Sequence, residues 1–303
     1  MSYGVRVRVP SSAPYGGLPE WSNGAVSKTV DGKYSSVGSN PTSSAKHIGG
    51  AVIVFITGDC HADWTRFGMK EFPDQKDLTR DDFIIVCGDF GIWSKSKKEE
   101  WWLNWFEQKN FTVLFVDGNH ENFDRLYSDE FEVVDFHGGK AHKIRENVYH
   151  LMRGYIFELC GKKFFALGGA SSHDIHDGIL NPADYSTKEE FAAVYKDWYE
   201  SGKMFRVNHV SWWEQELPNH VEMNRGLMNL EAHNMEVDYV ITHCLPQCVA
   251  SMLGFFTPDK LTKYFDSLLD AGLKFKKWHC GHYHTNKNID QYTVLYERIE
   301  RIL

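Results

Sequence analysis

Five short apolar runs, each followed at once by Asp, Asn or His, constrain the fold of this chain more than any other feature. The first three are VIVFI before GDCHAD, DFIIVC before GDFGIW, and FTVLFV before DGNHEN. The other two, DYVIT and FKKWHC, lead directly into His243 and into GHYH. Runs of β-branched and aromatic residues that alternate with helical stretches are typical of βαβ units and predict a parallel sheet.

Helical spacing is clearest in SKKEEWWLNWFEQK, residues 96–109, after the second run. Its aromatic residues recur at three- and four-residue intervals, which predicts one apolar face packed into the core. The residues on that face are Trp101, Trp102, Trp105 and Phe106.

The middle of the chain has a different pattern. Short runs between residues 148 and 169, broken at Arg-Gly and Cys-Gly, predict an antiparallel meander. Residues 171–237 are rich in Trp and predict a mostly helical insertion. Since neither an internal repeat nor a linker interrupts the pattern, residues 51–303 are predicted to form one domain.

Residues 1–50 contain many Gly, Ser, Pro and Asn residues and show neither a helical nor a strand period. That composition predicts a disordered tail. A second interpretation is a spurious N-terminal extension. VRVP at 7–10 and GSNP at 38–41 are what the T-arm of a transfer-RNA gene would encode in two frames. Under either interpretation we expect no function there.

Charge and hydropathy limit the possible partners. The 303 residues carry a formal charge of −8. Because residues 1–50 are basic, the remainder is more acidic still, which favours a small substrate over a nucleic acid. No apolar run is long enough to cross a bilayer, and the start lacks the apolar stretch of a secretory signal. We therefore expect a cytoplasmic protein without a membrane partner; the oligomeric state is open.

Six cysteines are scattered through the chain without a CxxC pair. Four of them lie within two residues of a candidate metal ligand. A sulfur-rich zinc site would need clustered cysteines, so these four are predicted to be buried, reduced thiols beside the site. They are Cys60, Cys87, Cys244 and Cys280.

The five polar motifs all follow strands, and functional groups of α/β sheets lie just beyond the carboxyl ends of strands. Each motif alone could be turn chemistry or a structural histidine. Five at the same topological position predict a metal site. Asp, Asn and His supply oxygen and nitrogen donors, which suit Mn²⁺, Fe or Zn²⁺ better than Ca²⁺ or Mg²⁺. The set is too large for one tetrahedral ion, so two ions are predicted.

In their order, GDCH, GDFG, GNHE, the strand-terminal His243 and GHYH resemble the five motifs of the calcineurin-like metallophosphoesterases, over about residues 52–298. The resemblance implies an α/β fold of two mixed β-sheets packed face to face, with helices on the outside. It also implies how the ligands are divided. One ion would be held by Asp59, His61 and His284, the other by Asn119, His243 and His282, with Asp89 bridging both.

The resemblance further implies hydrolysis of phosphate mono- or diesters by a metal-bridging hydroxide. Two divalent ions about 3.5–4 Å apart make hydroxide available at neutral pH. Mn²⁺ is the favoured metal, and the substrate would be a phosphorylated small molecule or a nucleotide. His120 would be the catalytic histidine that is not a ligand and that assists the leaving group. The alternatives are a nuclease and a non-catalytic, metal-binding scaffold of the same fold.

Two features depart from the patterns of this family. The protein Ser/Thr phosphatases have GDxxDRG as their second motif, whereas this chain has Ile92 and Trp93 where that Asp and Arg would stand. This argues against protein phosphatase activity and leaves His120 without an identified support. The insertion contains SSHDIHDG, which either caps the site and selects substrates or is a surface loop. Its polar residues, not predicted to be metal ligands, are His173, Asp174, His176 and Asp177.

Overall fold

The computed structural model describes residues 52–303. Both interpretations of residues 1–50 lie outside the described residues and stay predictions, as does the assignment of residues 51–303 to one domain. Within residues 52–303 the chain forms two large mixed sheets and a small two-stranded one.

The first large sheet has the order β15-β1-β2-β3-β6-β5-β4. Its four central strands, β1, β2, β3 and β6, are parallel, and the flanking strands pair antiparallel. The strands are β1 Val54–Thr57, β2 Phe83–Cys87, β3 Thr112–Val116, β4 Glu132–Phe136, β5 Gly139–Arg145, β6 Val148–Leu151 and β15 Glu300–Arg301.

The second large sheet repeats that plan with the order β13-β14-β12-β11-β8-β7. Strands β8, β11, β12 and β14 are parallel, and β7 and β13 pair antiparallel at the two edges. The strands are β7 Tyr155–Leu159, β8 Lys162–Leu167, β11 Tyr239–Thr242, β12 Lys277–Cys280, β13 Lys287–Ile289 and β14 Tyr292–Val294.

The helices begin at side chains that accept backbone N–H groups, as Ser96, Asn219 and Asp259 do. Such caps satisfy amides that have no partner in the first turn of a helix. The helices are α1 Lys97–Glu107, α2 Phe123–Leu126, α3 Lys188–Glu200, α4 His220–Ala232, α5 Gln247–Ala250 and α6 Lys260–Asp270.

Alternation along the strands builds four layers. Val54 and Ile56 of β1 share one apolar cluster with Phe164 and Ile241 of the second sheet, so this cluster lies between the two sheets. Phe55, between them in sequence, faces the other way and joins the cluster of α1. The opposite face of the second sheet packs on α4 and α6. The predicted fold of two mixed sheets face to face with helices outside is confirmed.

The prediction of one antiparallel meander is wrong. β6 belongs to the first sheet, whereas β7 and β8 form a hairpin at the edge of the second. The chain crosses between the sheets at Arg153 and Gly154. Arg153 is buried there and bonds to the carboxylate of Asp117, so the Arg-Gly pair marks a buried crossing, not an exposed turn.

The insertion contains α3 and α4, as predicted, and also a parallel strand pair that was not. These two strands are β9 Gly178–Leu180 and β10 Phe205–Val207.

Two smaller predictions also have outcomes. In α1, Leu103 and Phe106 are buried, but Trp101 is 58% exposed, so the apolar face is narrower than predicted. The four cysteines near the site are buried and free, and burial raises the pKa of Cys60 to about 12. They are therefore thiols, as predicted. Among residues 52–303, no helix is both long enough and apolar enough to cross a membrane.

Candidate metal centre

The carboxyl ends of five parallel strands meet where the two sheets face each other. Residues after β1 and β2 of the first sheet approach residues after β11 and β12 of the second. His284 Nε2 lies 3.0 Å from His61 Nε2 and 3.1 Å from Asp59 Oδ2. His243 Nε2 lies 3.3 Å from Asp89 Oδ2. These side chains, with His120, fall into three overlapping groups whose donor atoms could each surround an ion.

Asn119 and His282 complete the set. The ring of His282 lies 5.0 Å from that of His243, and Asn119 follows β3 at the same edge. The structure therefore brings all seven predicted ligands and His120 to one edge of the sheets. Which of them bind an ion stays a prediction.

Backbone strain is concentrated at this edge. Four of the seven predicted ligands have left-handed backbone angles, a region that side chains other than Gly rarely adopt. Such conformations cost free energy and cluster at functional sites. They are His61 (φ 48°), Asp89 (φ 51°), His282 (φ 68°) and His284 (φ 47°).

Each buried carboxylate is oriented by one backbone amide. Asp59 Oδ1 accepts a hydrogen bond from the amide of His282 at 2.8 Å, and Asp89 Oδ1 accepts one from the amide of His120 at 2.7 Å. In both residues Oδ2 is left toward the neighbouring imidazoles. Oδ1 therefore fixes the orientation of each carboxylate, and Oδ2 is available to bind an ion.

Glycines allow the loops to close on these carboxylates. A Cβ added to Gly118 would lie 2.0 Å from Asp89 Oδ1, and one added to Gly281 would lie 2.0 Å from Asp59 Oδ1. Real Cβ atoms do not approach so closely. Gly118 and Gly281 are therefore required, because each packs against a predicted ligand that follows a different strand.

Three predicted ligand atoms fit a metal ion, because none makes a hydrogen bond in the described structure and two lie against another predicted ligand: Asp59 Oδ2 is 3.1 Å from His284 Nε2, and His243 Nε2 is 3.3 Å from Asp89 Oδ2. Asp59 Oδ2, Asn119 Oδ1 and His243 Nε2 are buried and have no hydrogen-bond partner among residues 52–303. A buried polar atom without a partner costs about 1–3 kcal/mol. Three of them at one edge are explained if they face an ion.

Two of these atoms are aimed by the other end of the same side chain. His243 Nδ1 donates to the carbonyl of Cys87 at 2.7 Å, so in the neutral ring the lone pair is on Nε2. Asn119 Nδ2 lies 3.4 Å from Ser172 Oγ, which leaves Oδ1 free. Ser172 is in turn held by Glu216, a buried residue of the insertion.

The carboxylates and imidazoles of the site shift one another's pKa values. Burial opposes the charge of His243, but the carboxylates of Asp89 and Asp59 outweigh it and raise the pKa of His243 to about 9. Burial would raise the pKa of Asp89, yet the surrounding imidazoles, His243 first, hold it well below its usual range. An ion at His243 would therefore displace a proton from the ring.

The insertion reaches the site, although the sequence left this open. His173 Nε2 lies 2.7 Å from His282 Nε2, and Asp174 accepts a bond from Arg206, which in turn contacts His120. Of the two interpretations of SSHDIHDG, the structure supports the cap for these two residues. Arg206 was missed, because MFRVN carries no motif that would single it out.

Two buried acids next to the site were also missed. Glu121 accepts the amides of Gly91 and Ile92, which ties the loop after β3 to the loop after β2. Asp117 binds His150 at 2.9 Å and Arg153 through Nε at 2.9 Å, which ties β3 to the crossing between the sheets. Both acids hold loops in place. In the sequence, only their position in DGNHEN could have pointed to them.

A cavity of about 640 Å³ opens beside Asp59 and His61. Arg66 lies in its wall and donates to the carbonyls of Asp59 and Tyr296, both at 2.5 Å. The cavity has room for a small molecule, but of the predicted site residues only Asp59 and His61 line it, so it lies to one side of the predicted centre.

A comparison with protein families supports the same conclusion. The family model of the calcineurin-like phosphoesterases matches residues 53–244, a range that contains five of the seven predicted ligands and His120. His282 and His284 lie beyond the matched range. No curated protein matches the chain. Because the match covers more than half of the chain, the protein belongs to the calcineurin-like phosphoesterase family, whose members are in general metal-dependent hydrolases of phosphate esters.

Proposed function

We propose that this protein hydrolyses phosphate mono- or diesters with two divalent metal ions. The observation that carries the proposal is the set of three buried ligand atoms that make no hydrogen bond among the described residues, in loops that follow strands of both sheets: Asp59 Oδ2, Asn119 Oδ1 and His243 Nε2. Isolated turn chemistry would satisfy these atoms locally. A dinuclear centre accounts for all three together.

The ligands would divide as the family resemblance implies. Asp59, His61 and His284 would hold one ion, and their donor atoms already form one close group. Asp89 lies between His61 and His243, 3.5 Å from the first and 3.3 Å from the second, as a bridging carboxylate should. Asn119, His243 and His282 would hold the other ion. When bound, such ions offset phosphoryl charge and make a nucleophilic hydroxide available.

His120 would assist the leaving group. Its ring lies edge-on to His61 with centroids 4.9 Å apart, so it faces the same space as the ligands. Burial lowers the pKa of His120 to about 4, and the charge of Arg206 acts in the same direction. A neutral imidazole carries one N–H group, so we propose that His120 donates a hydrogen bond to the departing oxygen.

The substrate would be a phosphorylated small molecule or a nucleotide. A cavity of about 640 Å³, the size of a small-molecule site, adjoins the predicted centre at Asp59 and His61, although His120 is not in its lining. Oxygen and nitrogen donors favour Mn²⁺, with Fe or Zn²⁺ as alternatives. A cytoplasmic location stays an expectation from the sequence.

A metal-by-substrate screen tests this proposal. The protein is reconstituted with Mn²⁺, Fe²⁺ or Zn²⁺ and assayed on p-nitrophenyl phosphate, bis-p-nitrophenyl phosphate, nucleotides, single-stranded DNA and RNA. We expect metal-dependent hydrolysis of one of the small esters. Hydrolysis of the nucleic acids alone would replace the proposal with a nuclease, and two bound ions without any activity would favour a scaffold.

Metal content tests the bridging ligand. We predict two ions per chain in the wild type and fewer in Asp89→Asn, because the amide removes the shared negative charge. Asp82→Asn is the matched control: Asp82 is equally buried but lies at the opposite end of β2, where it accepts backbone amides. Fewer than two ions in the wild type, or two in Asp89→Asn, would contradict a bridging Asp89.

A further inference from the structure

The loop after β2 gives the ring of His120 no hydrogen-bond partner; its Asp89 accepts only the backbone amide of His120. Ile92, where the protein phosphatases have an aspartate, is fully buried in the apolar cluster of α1. The backbone amide of Ile92 donates to Glu121, so it is not available to bind His120. Trp93, at the arginine position, packs its ring against Trp213 of the insertion. Support for His120 must therefore come from another segment.

That segment is the insertion. Arg206, in the middle of β10, is only 7% exposed and is held on two sides by its own segment. Its Nε donates to Asp174 Oδ1 at 2.6 Å, and its Nη1 donates to the carbonyl of Ser211 at 3.1 Å. The remaining nitrogen, Nη2, reaches His120 Nε2 at 3.1 Å.

This contact determines which nitrogen of His120 carries hydrogen. A guanidinium has five N–H donors, no acceptor, and does not lose its proton in proteins. Nε2 of His120 must therefore accept, which leaves the ring hydrogen on Nδ1. The backbone amide of His120 is fixed independently by Asp89 Oδ1, so both the backbone and the ring of this residue have a partner.

We propose that Arg206 and Asp174 of the insertion together support His120 in place of the Asp and Arg that the loop after β2 lacks. Arg206 is the positioning residue, since it sets the direction and the tautomer of His120. Asp174 fixes the orientation of the guanidinium, because its carboxylate accepts a hydrogen bond from Nε of Arg206. The part of this inference that concerns catalysis rests on the proposed phosphoesterase function.

A double-mutant cycle tests the catalytic part. We expect Arg206→Ala to lower kcat for an alkyl phosphate ester by roughly 10- to 100-fold, the usual cost of losing a residue that orients an active-site group. KM and metal content should change little. In a His120→Asn background the same substitution should cost much less, because the residue it positions is gone. An equal fold-loss in both backgrounds would overturn the proposal.

Asp174→Asn and Arg206→Lys test the same proposal if Arg206→Ala fails to fold. Asp174→Asn keeps Arg206 and weakens its anchor, so it should show a smaller loss with the same dependence on His120. Arg206→Lys keeps the charge but not the planar fork that serves Asp174 and His120 together. It should resemble Arg206→Ala. Full activity in Arg206→Lys would overturn the proposal, because charge alone would then suffice.

Arg225→Ala is the matched control within the insertion. Arg225 donates to the carbonyl of Arg153 and stacks over Tyr155, away from His120. We expect unchanged kcat and an unchanged ratio between alkyl and p-nitrophenyl esters. A loss in Arg225→Ala as large as that in Arg206→Ala would assign both effects to a disturbed insertion and would overturn the positioning role.

A second measurement does not depend on activity. Nitrogen-15 NMR of the histidine rings in the full-length, Zn²⁺-loaded protein shows which ring nitrogen of His120 carries hydrogen, with His120→Asn to identify its signals. We expect hydrogen on Nδ1 in the wild type and a mixture in Arg206→Ala. The same tautomer in both would overturn the inference. If the screen finds no phosphoesterase activity, this measurement alone decides whether Arg206 positions His120.

Discussion

His120 is the residue whose neighbours most limit what it can do. Its ring lies beside His61, its amide is bound to Asp89 and its Nε2 is bound to Arg206. An additional ligand from His120 would also crowd a site that already has seven and must admit water and phosphate. These contacts suit a hydrogen-bond donor to the leaving group better than a metal ligand.

We therefore predict that the effect of His120→Asn depends on the leaving group. Alkoxides need a donor far more than p-nitrophenolate does, so kcat for an alkyl phosphate should fall by up to about 10²- to 10⁴-fold and kcat for p-nitrophenyl phosphate much less. Metal content should stay at the wild-type level. Equal losses on both esters would show that His120 stabilises phosphoryl charge, and a lost ion would make it a ligand.

Gly118 allows a second prediction at this scale. A Cβ added to Gly118 would lie 2.0 Å from the carboxylate and 2.6 Å from the amide nitrogen of Asp89, so Gly118→Ala must displace the proposed bridging ligand. We expect reduced metal content and a free energy of unfolding lower by about 1–3 kcal/mol, the usual cost of overpacking. Both are measured on the same sample, by metal analysis and by urea unfolding.

Gly161→Ala is its control. Gly161 has φ 68° in the open turn between β7 and β8, and a Cβ there meets nothing within 4 Å. The alanine should cost stability through its backbone angle and leave metal content unchanged. If Gly118→Ala also retained its metal, close packing on Asp89 would not be what orients the bridge.

The sequence was sufficient to gather the candidate ligands but not the residue that holds His120. Each ligand directly follows a strand, and strand ends meet because of the topology. Arg206 has no such mark: it lies 86 positions from His120 and reaches it only because β10 pairs with β9 beside the site. Such a tertiary contact leaves no spacing that a single sequence could show.

Among the elements, β12 combines a site function with an unusual burial. It leads to His282, yet His279 within it is 3% exposed and neither of its ring nitrogens has a hydrogen-bond partner among residues 52–303. Burial lowers the pKa of His279 to about 3, and Lys277 adds to the effect. Tyr239 and Glu300 line the same shallow cleft.

His279 should therefore make the protein less stable in acid. The unfolded chain binds a proton at His279 below its ordinary pKa of about 6.5, whereas the folded protein does so only near 3. The contribution of His279 to stability is complete above pH 6.5 and falls by about 1.4 kcal/mol per pH unit below it, as linkage requires. His279→Phe should reduce the slope of urea-unfolding stability against pH by about 1.4 kcal/mol per pH unit between pH 6.5 and 4. An unchanged slope would contradict a neutral, buried His279.

The same scale explains why the meander was misread. The runs at β6, β7 and β8 have the lengths and breaks of hairpins, and the β7–β8 turn is one. The break after β6 contains Arg153, which a single sequence suggests is exposed. In the fold it is buried against Asp117 and Glu222, so the chain passes from one sheet to the other there. Only the carboxylates that bind Arg153 distinguish a crossing between the sheets from a hairpin turn, and both are distant in sequence.

At the scale of the whole molecule, the site depends on both sheets at once. Asp59 and Asp89 come from the first sheet, and His243 and His284 from the second, so their donor atoms converge only when the sheets pack together. A bound ion therefore stabilises the native arrangement relative to the unfolded chain. The fold class could be predicted because five motifs in order imply it, whereas the strand pair β9–β10 and the crossing at Arg153 could not.

The last prediction concerns how much of the chain this arrangement needs. β1 lies near the start of the described residues, and it is a central strand, paired with β2 on one side and β15 on the other. Its side chains contribute to two of the three apolar clusters. Residues 1–50 have the composition of a tail and carry none of the predicted ligands.

We predict that a protein of residues 51–303 keeps the melting temperature, the metal content and the metal-dependent activity of the full chain. A shorter protein that also lacks β1 is the control. It loses β1, the buried central strand that leads to Asp59, and it should not fold. The two truncations are compared by thermal unfolding, metal analysis and ester hydrolysis. A large loss on removing residues 1–50 alone would show that the segment contributes to the folded protein, and both interpretations of it as dispensable would be wrong.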